Sequence, residues 1–489
     1  MADPLLADLL VSVLRRGSGS SLQSQLTTGI RDAIRSGKLK AGARLPSSRM
    51  LAEALGVARV TVVNAYDKLL VDGYLHTDSS SGTFVADCLP VVAQRPTRPM
   101  NARSLSVRGA ELIRLPAGIQ ERGGAFVPGV CDSDHFPFQT WKRIQNRYLG
   151  EPLKMLMGYA NYGGYLPLRR ALAEYLCVSR AVQTTPEQII VTMGTNQSID
   201  LCARVLADQG ELAYIENPCY WATPVVLRAC DLAVEAVDVD AEGMRVHELV
   251  KPARLVVITP SHQFPMGVTL SEQRRQQLLA YAEASDAYVL EDDYDSEFRY
   301  DRRPLPSLQG TDQHGRVIFM GTFSKVMFPG MRLSYIVVPP DLADAFSAAS
   351  LRLYRPGHLA LQASVADFVL DGHFAKHILR MREVYATRQA ELTRCLDRHF
   401  GSALETARTA AGLHMTIRIA DLHDLQPVAA NALDLGIHLR RLNVFRQSER
   451  EFVDGFLLGF GAIASEDISP AVETLARIVE RHLSVTPTS

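Results

Sequence analysis

Near the start of this chain apolar residues recur with a helical spacing, and further on they gather into short β-branched runs. Leu22, Leu26, Ile30 and Ile34 return every four residues and predict one amphipathic helix. Pro46-Ser47-Ser48 opens a second helix with a serine as cap and Leu51 and Leu55 on its apolar face, and Gly56 ends it. Arg59 to Leu70 reads as a third helix, stopped by Gly73. YLHTDSSSGTFVA then reads as two short strands around a Ser/Gly turn. From Cys88 to about Leu115 the chain is rich in proline, arginine and polar residues without periodicity, as an interdomain linker is. Beyond it, amphipathic helices alternate with the runs IIVTMG, ELAYIE, RLVVITP, AYVLEDDY, RVIFMGT and SYIVVP. Strands alternating with helices predict a doubly wound α/β domain with a mostly parallel sheet. The expected domains are 1–86, a linker over 87–115, and 116–489.

Composition agrees with this division. At 489 residues the chain is too long for one ordinary core. It is 47% hydrophobic and 21% charged, and no stretch approaches the roughly 20 apolar residues needed to span a bilayer. The opening MADPLLADLLVSVLRR places two aspartates before its apolar stretch, unlike a secretory signal, so the cytoplasm is expected. Seven cysteines at 88, 131, 177, 202, 219, 230 and 395 form no C-x-x-C pair, which favours buried thiols over disulfides or a metal site. Net charge is −1, but residues 1–76 carry ten Lys/Arg against six Asp/Glu. A basic head on an acidic body is the asymmetry expected when one end meets nucleic acid.

The head carries chemistry suited to that partner. A helix–turn–helix needs two short helices joined by a small residue, with short polar and basic side chains at the start of the second. SSRMLAEALGVARVTVVNAYDKLLVDGYL supplies Gly56 in the turn, then Arg59, Thr61 and Asn64. Gly82 and Thr83 fall at the hairpin tip, where close approach to a groove or phosphate needs little side chain. Over residues 22–86 the chain resembles the GntR family of winged-helix regulators. The resemblance implies that Arg44, Ser48, Arg49, Arg59 and Thr61 contact double-stranded DNA, with Gly82 in the wing.

In the body, Lys325 follows a strand within RVIFMGTFSKVMFPGMRLSYIVV, flanked by Thr322, Ser324 and Arg332, all able to bind phosphate. Asp292 ends the apolar strand AYVLEDDY, with Tyr294 two residues on. Met193-Gly194-Thr195-Asn196 joins a strand to a helix, a ready anion site. Tyr220, in ENPCYW, is a candidate stacking aromatic. Pyridoxal phosphate needs such a set: a lysine for a Schiff base, an acid at the pyridine nitrogen, phosphate donors and an aromatic face.

These residues resemble fold-type I aminotransferases over about residues 115–485. A closer resemblance is to the MocR/GabR group, in which a GntR-type head is fused to such a domain. TPSHQFPMGVTLS, EDDYDSEFRYDRRPLPSLQG and GTFSKVMFPGMRLSYIVVP carry that match. The resemblance implies fold type I with a smaller C-terminal subdomain and a homodimer. It also implies Lys325 as the Schiff-base lysine, Asp292 at the ring nitrogen, Tyr294 at the phenolic oxygen and Tyr220 stacked on the ring. Gly194, Thr195, Asn196, Thr322, Ser324 and Arg332 would then surround the phosphate.

Two departures from aminotransferases stand out. Where many carry N-P-x-G, this chain reads HQFPMG, which puts Phe264 at the asparagine position unless His262 or Gln263 substitutes. The arginine that commonly holds a substrate carboxylate in the last strand is replaced near Leu457, leaving Arg440, Arg441 or Arg446 as alternatives. The expectation is therefore a regulator that senses an amine, an amino acid or pyridoxal phosphate itself through Lys325. The alternative is an aminotransferase with an accessory DNA-binding domain.

Overall fold

The computed structural model describes residues 10, 14, 20–78, 81–87, 105–114, 123–150, 154–158, 163–300, 305–355, 357–406, 411–450, 452 and 454–485. The chain separates into two units, Met1–Ser104 and Leu105–Ser489. Most of the expected linker, residues 88–104, and Cys88 with it lie outside the described residues, whereas its end, Val107–Arg114, is a helix.

In the first unit the first two helices begin where a serine can satisfy their open N–H groups. Ser21 caps α1 (Leu22–Arg35) and Ser47 caps α2 (Ser48–Leu55). Gly56 ends α2 in the left-handed region (φ 60°), a conformation a glycine adopts without strain. Helix α3 (Arg59–Val71) follows, then the antiparallel ribbon β1 (Leu75–Asp78) and β2 (Gly82–Val85), with Leu75 opposite Val85. Leu26, Ile30 and Ile34 pack with Leu51, Leu55, Val62, Leu69 and Val85 in one core. The four-residue spacing seen in the sequence is the buried stripe of α1.

The second unit is built on a sheet of eight strands in the order β3-β10-β9-β8-β7-β4-β5-β6. These are β3 (Ile189–Thr192), β4 (Leu212–Asn217), β5 (Ala233–Asp240), β6 (Gly243–Met244), β7 (Leu255–Ile258), β8 (Tyr288–Asp293), β9 (Val317–Thr322) and β10 (Ser334–Val337). The six runs named from the sequence are β3, β4, β7, β8, β9 and β10. β5, with an acidic residue at Glu235, Asp238 and Asp240 and only partial burial, escaped that reading because it lies next to the edge. Helices on both faces explain why the central strands are apolar throughout: Leu255 and Val257 enter one cluster, Val256 and Ile258 another.

Two strands run against the others: the short edge strand β6, antiparallel to β5, and β10 within the sheet. β10 is antiparallel to both β9 and β3, because residues 323–333 join β9 to β10 without a crossover helix. That short return carries Lys325 at the carboxyl end of the parallel strands, where open α/β sheets bind ligands. Helix α4 (Val107–Arg114) bears Arg108, ion-paired to Asp231 at 2.6 Å. Helix α5 (Thr195–Leu206) begins directly after β3 and Gly194. The smaller subdomain has a four-stranded antiparallel sheet, β11-β12-β14-β13, from Leu404–Thr406, His414–Ile419, Phe456–Gly459 and Arg440–Arg441. Helices α6 (His373–Phe400), α7 (Leu425–Asp434) and α8 (Ser465–Val485) pack with it around Ile417, Leu458, Val472 and Leu475.

Candidate functional site

Strand ends of the second unit converge on a cleft of about 390 Å³. Thr195, Asn196, Tyr220, Asp292, Tyr294, Thr322, Ser324, Lys325 and Arg332 all line it, so the residues singled out from the sequence come together although some are 130 positions apart. Gly194 lies beside them. An added Cβ there would stand 2.6 Å from Arg332 Nη2, so glycine is what lets the guanidinium reach the start of α5. No side chain caps that helix, which leaves its first N–H groups and Arg332 together as an anion cradle. Thr322 Oγ1 accepts from Ser324 N at 3.2 Å and from Ser334 Oγ at 2.8 Å, which fixes the turn before the lysine.

Lys325 Nζ donates to the Gly129 carbonyl at 2.6 Å. Facing the same cleft, the Asp292 carboxyl is pushed up to about 7 by burial, and then by the charges of Asp293, Asp295 and Glu216, against the lowering effect of Lys325. Among the described residues no cation is ion-paired to this carboxyl, and a protonated pyridine nitrogen would be one. The lysine, this acid and the anion cradle fit pyridoxal phosphate.

Sequence reasoning missed several lining residues, among them Gly129, Asp295, His414 and the aromatic pair Trp221 and Phe445. No local pattern marks them, because their strands and loops meet only in the fold. Phe264 sits among them, edge-on to Tyr220, Tyr294, His414 and Phe445 at centroid distances of 5.1 to 6.1 Å. Of the three candidates at the asparagine position, His262 reaches Tyr294: its Nδ1 lies 3.0 Å from Tyr294 Oη and 3.0 Å from Asp295 Oδ1. Gln263 instead ties down its own loop, donating to the Pro218 carbonyl at 2.8 Å and accepting from Met266 N.

The three candidate arginines also separate. Arg441 donates to Asp454 at 2.7 Å and to Gln426, and Arg446 donates to the Arg450 carbonyl. Arg440 lines the cleft. Its Nε is enclosed without a hydrogen-bond partner, and burial lowers the pKa of its guanidinium. Across the ladder its Cα partner is Leu457, so the two side chains leave the same face of the sheet.

In the first unit Arg44, Arg49 and Arg59 are exposed, and Arg59 Nε donates to Ser48 Oγ at 3.3 Å. Arg44 lies against Gly82, where an added Cβ would meet Arg44 Nε at 3.3 Å. Arg44, Ser48, Gly82 and Thr83 line one surface recess with Asp67 and Thr77. Thr61 stands half-buried in the first turn of α3, a helix whose start no side chain caps.

A winged-helix head and a fold-type I aminotransferase body define a two-part class of regulator. Residues 22–85 match the model for bacterial regulatory proteins of the gntR family, and residues 129–451 match that for aminotransferase class I and II. The chain belongs to the MocR-type transcriptional regulators. It is 37% identical to the "Probable rhizopine catabolism regulatory protein MocR" of Rhizobium meliloti, over 95% of this chain and 94% of that one. It is 32% identical to the "HTH-type transcriptional regulator TauR" of Rhodobacter capsulatus, over 95% and 98%. In fold it is similar to a multiple substrate aminotransferase from Thermococcus profundus, with a TM-score of 0.70 at 24% identity, covering 78% of this chain and 98% of that one. Among the described residues no helix is long and apolar enough to cross a membrane.

Proposed function

We propose that the protein is a cytoplasmic, homodimeric regulator that binds promoter DNA through its heads and holds pyridoxal phosphate at Lys325. Through that site it senses an amine, an amino acid or the cofactor itself. The observation that carries this reading is the buried Asp292 carboxyl, held up to about 7 in the same cleft as Lys325. When bound, pyridoxal phosphate supplies a carbonyl that condenses with primary amines. The chain's own residues do the rest. Asp292 accepts the ring N–H, Tyr220 covers the ring, and Gly194, Thr195, Asn196, Thr322, Ser324 and Arg332 hold the phosphate. In the head, Arg44, Ser48, Arg49, Arg59 and Thr61 contact DNA, with Gly82 in the wing.

Arg440 supports an effector that carries a carboxylate. It lacks an anionic partner among the described residues, and it stands opposite Leu457, so it delivers a guanidinium to the face where aminotransferases commonly place one. An effector shifts the regulator only by binding its DNA-competent and incompetent states unequally. The test is promoter binding by the purified protein with and without pyridoxal phosphate, across a panel of amines and amino acids. We expect at least one ligand to change the affinity. Arg440→Gln should weaken a carboxylate-bearing effector by about 10- to 100-fold, the worth of a charge-assisted hydrogen bond, and leave a simple amine unaffected. If neither the cofactor nor any member of the panel alters DNA binding, sensing at this site is excluded.

A further inference from the structure

At the cleft wall, half-buried Tyr294 and buried His262, Asp295 and His414 form a polar group that sequence reading reached only in part. His262 Nδ1 has two neighbours, Tyr294 Oη at 3.0 Å and the Asp295 carboxylate at 3.0 and 3.1 Å. His262 and Asp295 are 3% and 1% exposed. A carboxylate accepts, so the Nδ1 hydrogen is His262's own, and it is shared between the Asp295 carboxylate and Tyr294 Oη, both of which accept it. Tyr294 therefore cannot give its own hydrogen to that nitrogen. Burial, with Asp295 and Asp292 nearby, holds the Tyr294 phenol well above its usual range, so its hydrogen stays on. The phenol is left to donate elsewhere, and it lines the cleft.

We infer that Asp295 and His262 form a positioning pair that turns the Tyr294 hydroxyl into the cleft as a donor to the phenolic oxygen of the cofactor. This rests on the reading that pyridoxal phosphate binds at Lys325. His262 does the orienting work of the asparagine that this loop lacks, from two positions before Phe264. His262 Nε2 and His414 Nε2 are both buried without a hydrogen-bond partner, which leaves Nδ1 as the hydrogen-bonding nitrogen of each ring. For His414, burial, His262 and Lys325 all disfavour a charged ring, and the Pro265 backbone offsets them only in part.

The experiment is a spectroscopic pH titration of the cofactor–lysine Schiff base in the full-length protein. Asp292, Asp295, Tyr294, His414 and Lys325 face His262 or the cleft, so every variant is read against the same set of groups. A donor to the phenolic oxygen favours its ionised form, so losing that donor raises the midpoint. We expect His262→Phe and Tyr294→Phe each to raise the midpoint by about one pH unit, the equivalent of one hydrogen bond. His262→Asn, which keeps an N–H donor, should restore most of the wild-type value. Because His262 acts through Tyr294, His262→Phe should add almost nothing in a Tyr294→Phe background. A wild-type midpoint in His262→Phe, or fully additive shifts, overturns the inference while leaving cofactor binding intact. A wild-type protein with no Schiff-base absorption overturns the parent reading instead. Donor atoms of His262, Asp295 and His414 lie within 4.8 Å of one another and could suit a divalent transition ion. The spectrum should therefore be unchanged by EDTA or added zinc, and a metal-dependent midpoint would also overturn the assignment.

Discussion

In the head, Arg44, Arg49 and Arg59 stand exposed, and among the described residues the Arg59 guanidinium donates to the Ser48 hydroxyl at 3.3 Å. In the body, Asp292, Asp293 and Asp295 are less than a tenth exposed, and two of them have close partners: Asp293 takes Arg180 at 2.7 Å and Asp295 lies 3.0 Å from His262 Nδ1. Exposed cations cost little to maintain and attract phosphates through water, where salt screens them. Buried acids are expensive unless partnered, so their partners are chosen by geometry and their behaviour follows pH and ligand. The difference teaches that one chain carries two kinds of recognition. The head should answer to ionic strength, and the body to cofactor and proton.

The largest expected effect separates the two outright. Lys325→Ala removes the one lysine that lines the cleft among the described residues, so the near-visible absorption of the cofactor–protein adduct should vanish. Ligand-free binding to DNA, measured by fluorescence anisotropy, should keep its affinity and its salt slope. If DNA binding collapses along with the absorption, the two kinds of recognition are not separable and the comparison fails.

Asp292→Asn tests the body's dependence on protons. In the cofactor-free protein the carboxyl sits near 7 instead of its ordinary 3.8, which means the neutral form is favoured by folding. Its stabilising contribution is therefore complete below about pH 4 and is lost as pH rises towards 7, by about 1.4 kcal/mol per pKa unit. The melting temperature of the cofactor-free protein should fall between pH 5 and 8, and the asparagine variant should fall less. Glu216 and Glu297, also raised to about 7 by burial, contribute with the same sign, so part of the slope remains. Pyridoxal phosphate held as proposed would favour the ionised carboxylate through its ring N–H, so its stabilising effect should grow with pH in the wild type. The substitution should weaken cofactor binding by about 10- to 100-fold, the range for a charge-assisted hydrogen bond. Equal cofactor affinity in both proteins would remove Asp292 from the ring nitrogen.

The two regions also differ in how openly the sequence declares them. The head is local: Ser47, Gly56, Arg59 and Gly82 fall within one short stretch, and each does its work beside its sequence neighbours. The α/β body and its six main strands were legible because the apolar runs are short and buried on both faces. The reversed direction of β10 was not, since direction follows from the short 323–333 connection and not from the composition of the strand. Lys325, Asp292 and Arg332 were legible because each stands in a dense local phrase. His262 and Arg440 stayed among alternatives, and Asp295 and His414 were not seen, because these residues come together only where β12, β13 and three loops meet. Choosing Arg440 over Arg441 required the ladder register and the Asp454 partner, neither of which is visible in one dimension.

The smallest expected effect belongs to the head and is the one that salt should control. Arg59 opens α3 on a helix with no side-chain cap, so its guanidinium and the first-turn N–H groups can reach one phosphate together. Replacing it with alanine removes one exposed charge whose hydrogen bond to Ser48 is long, so the fold should be nearly unaffected. Affinity for promoter DNA should fall by about tenfold at moderate salt, and the slope of log affinity against log salt should flatten by about one phosphate contact. The cofactor absorption and its pH midpoint should not move. A loss of affinity with an unchanged salt slope would mean that Arg59 reads a base edge and not a phosphate. The head would then share with the body a dependence on fixed geometry, and the contrast between the two would narrow to burial alone.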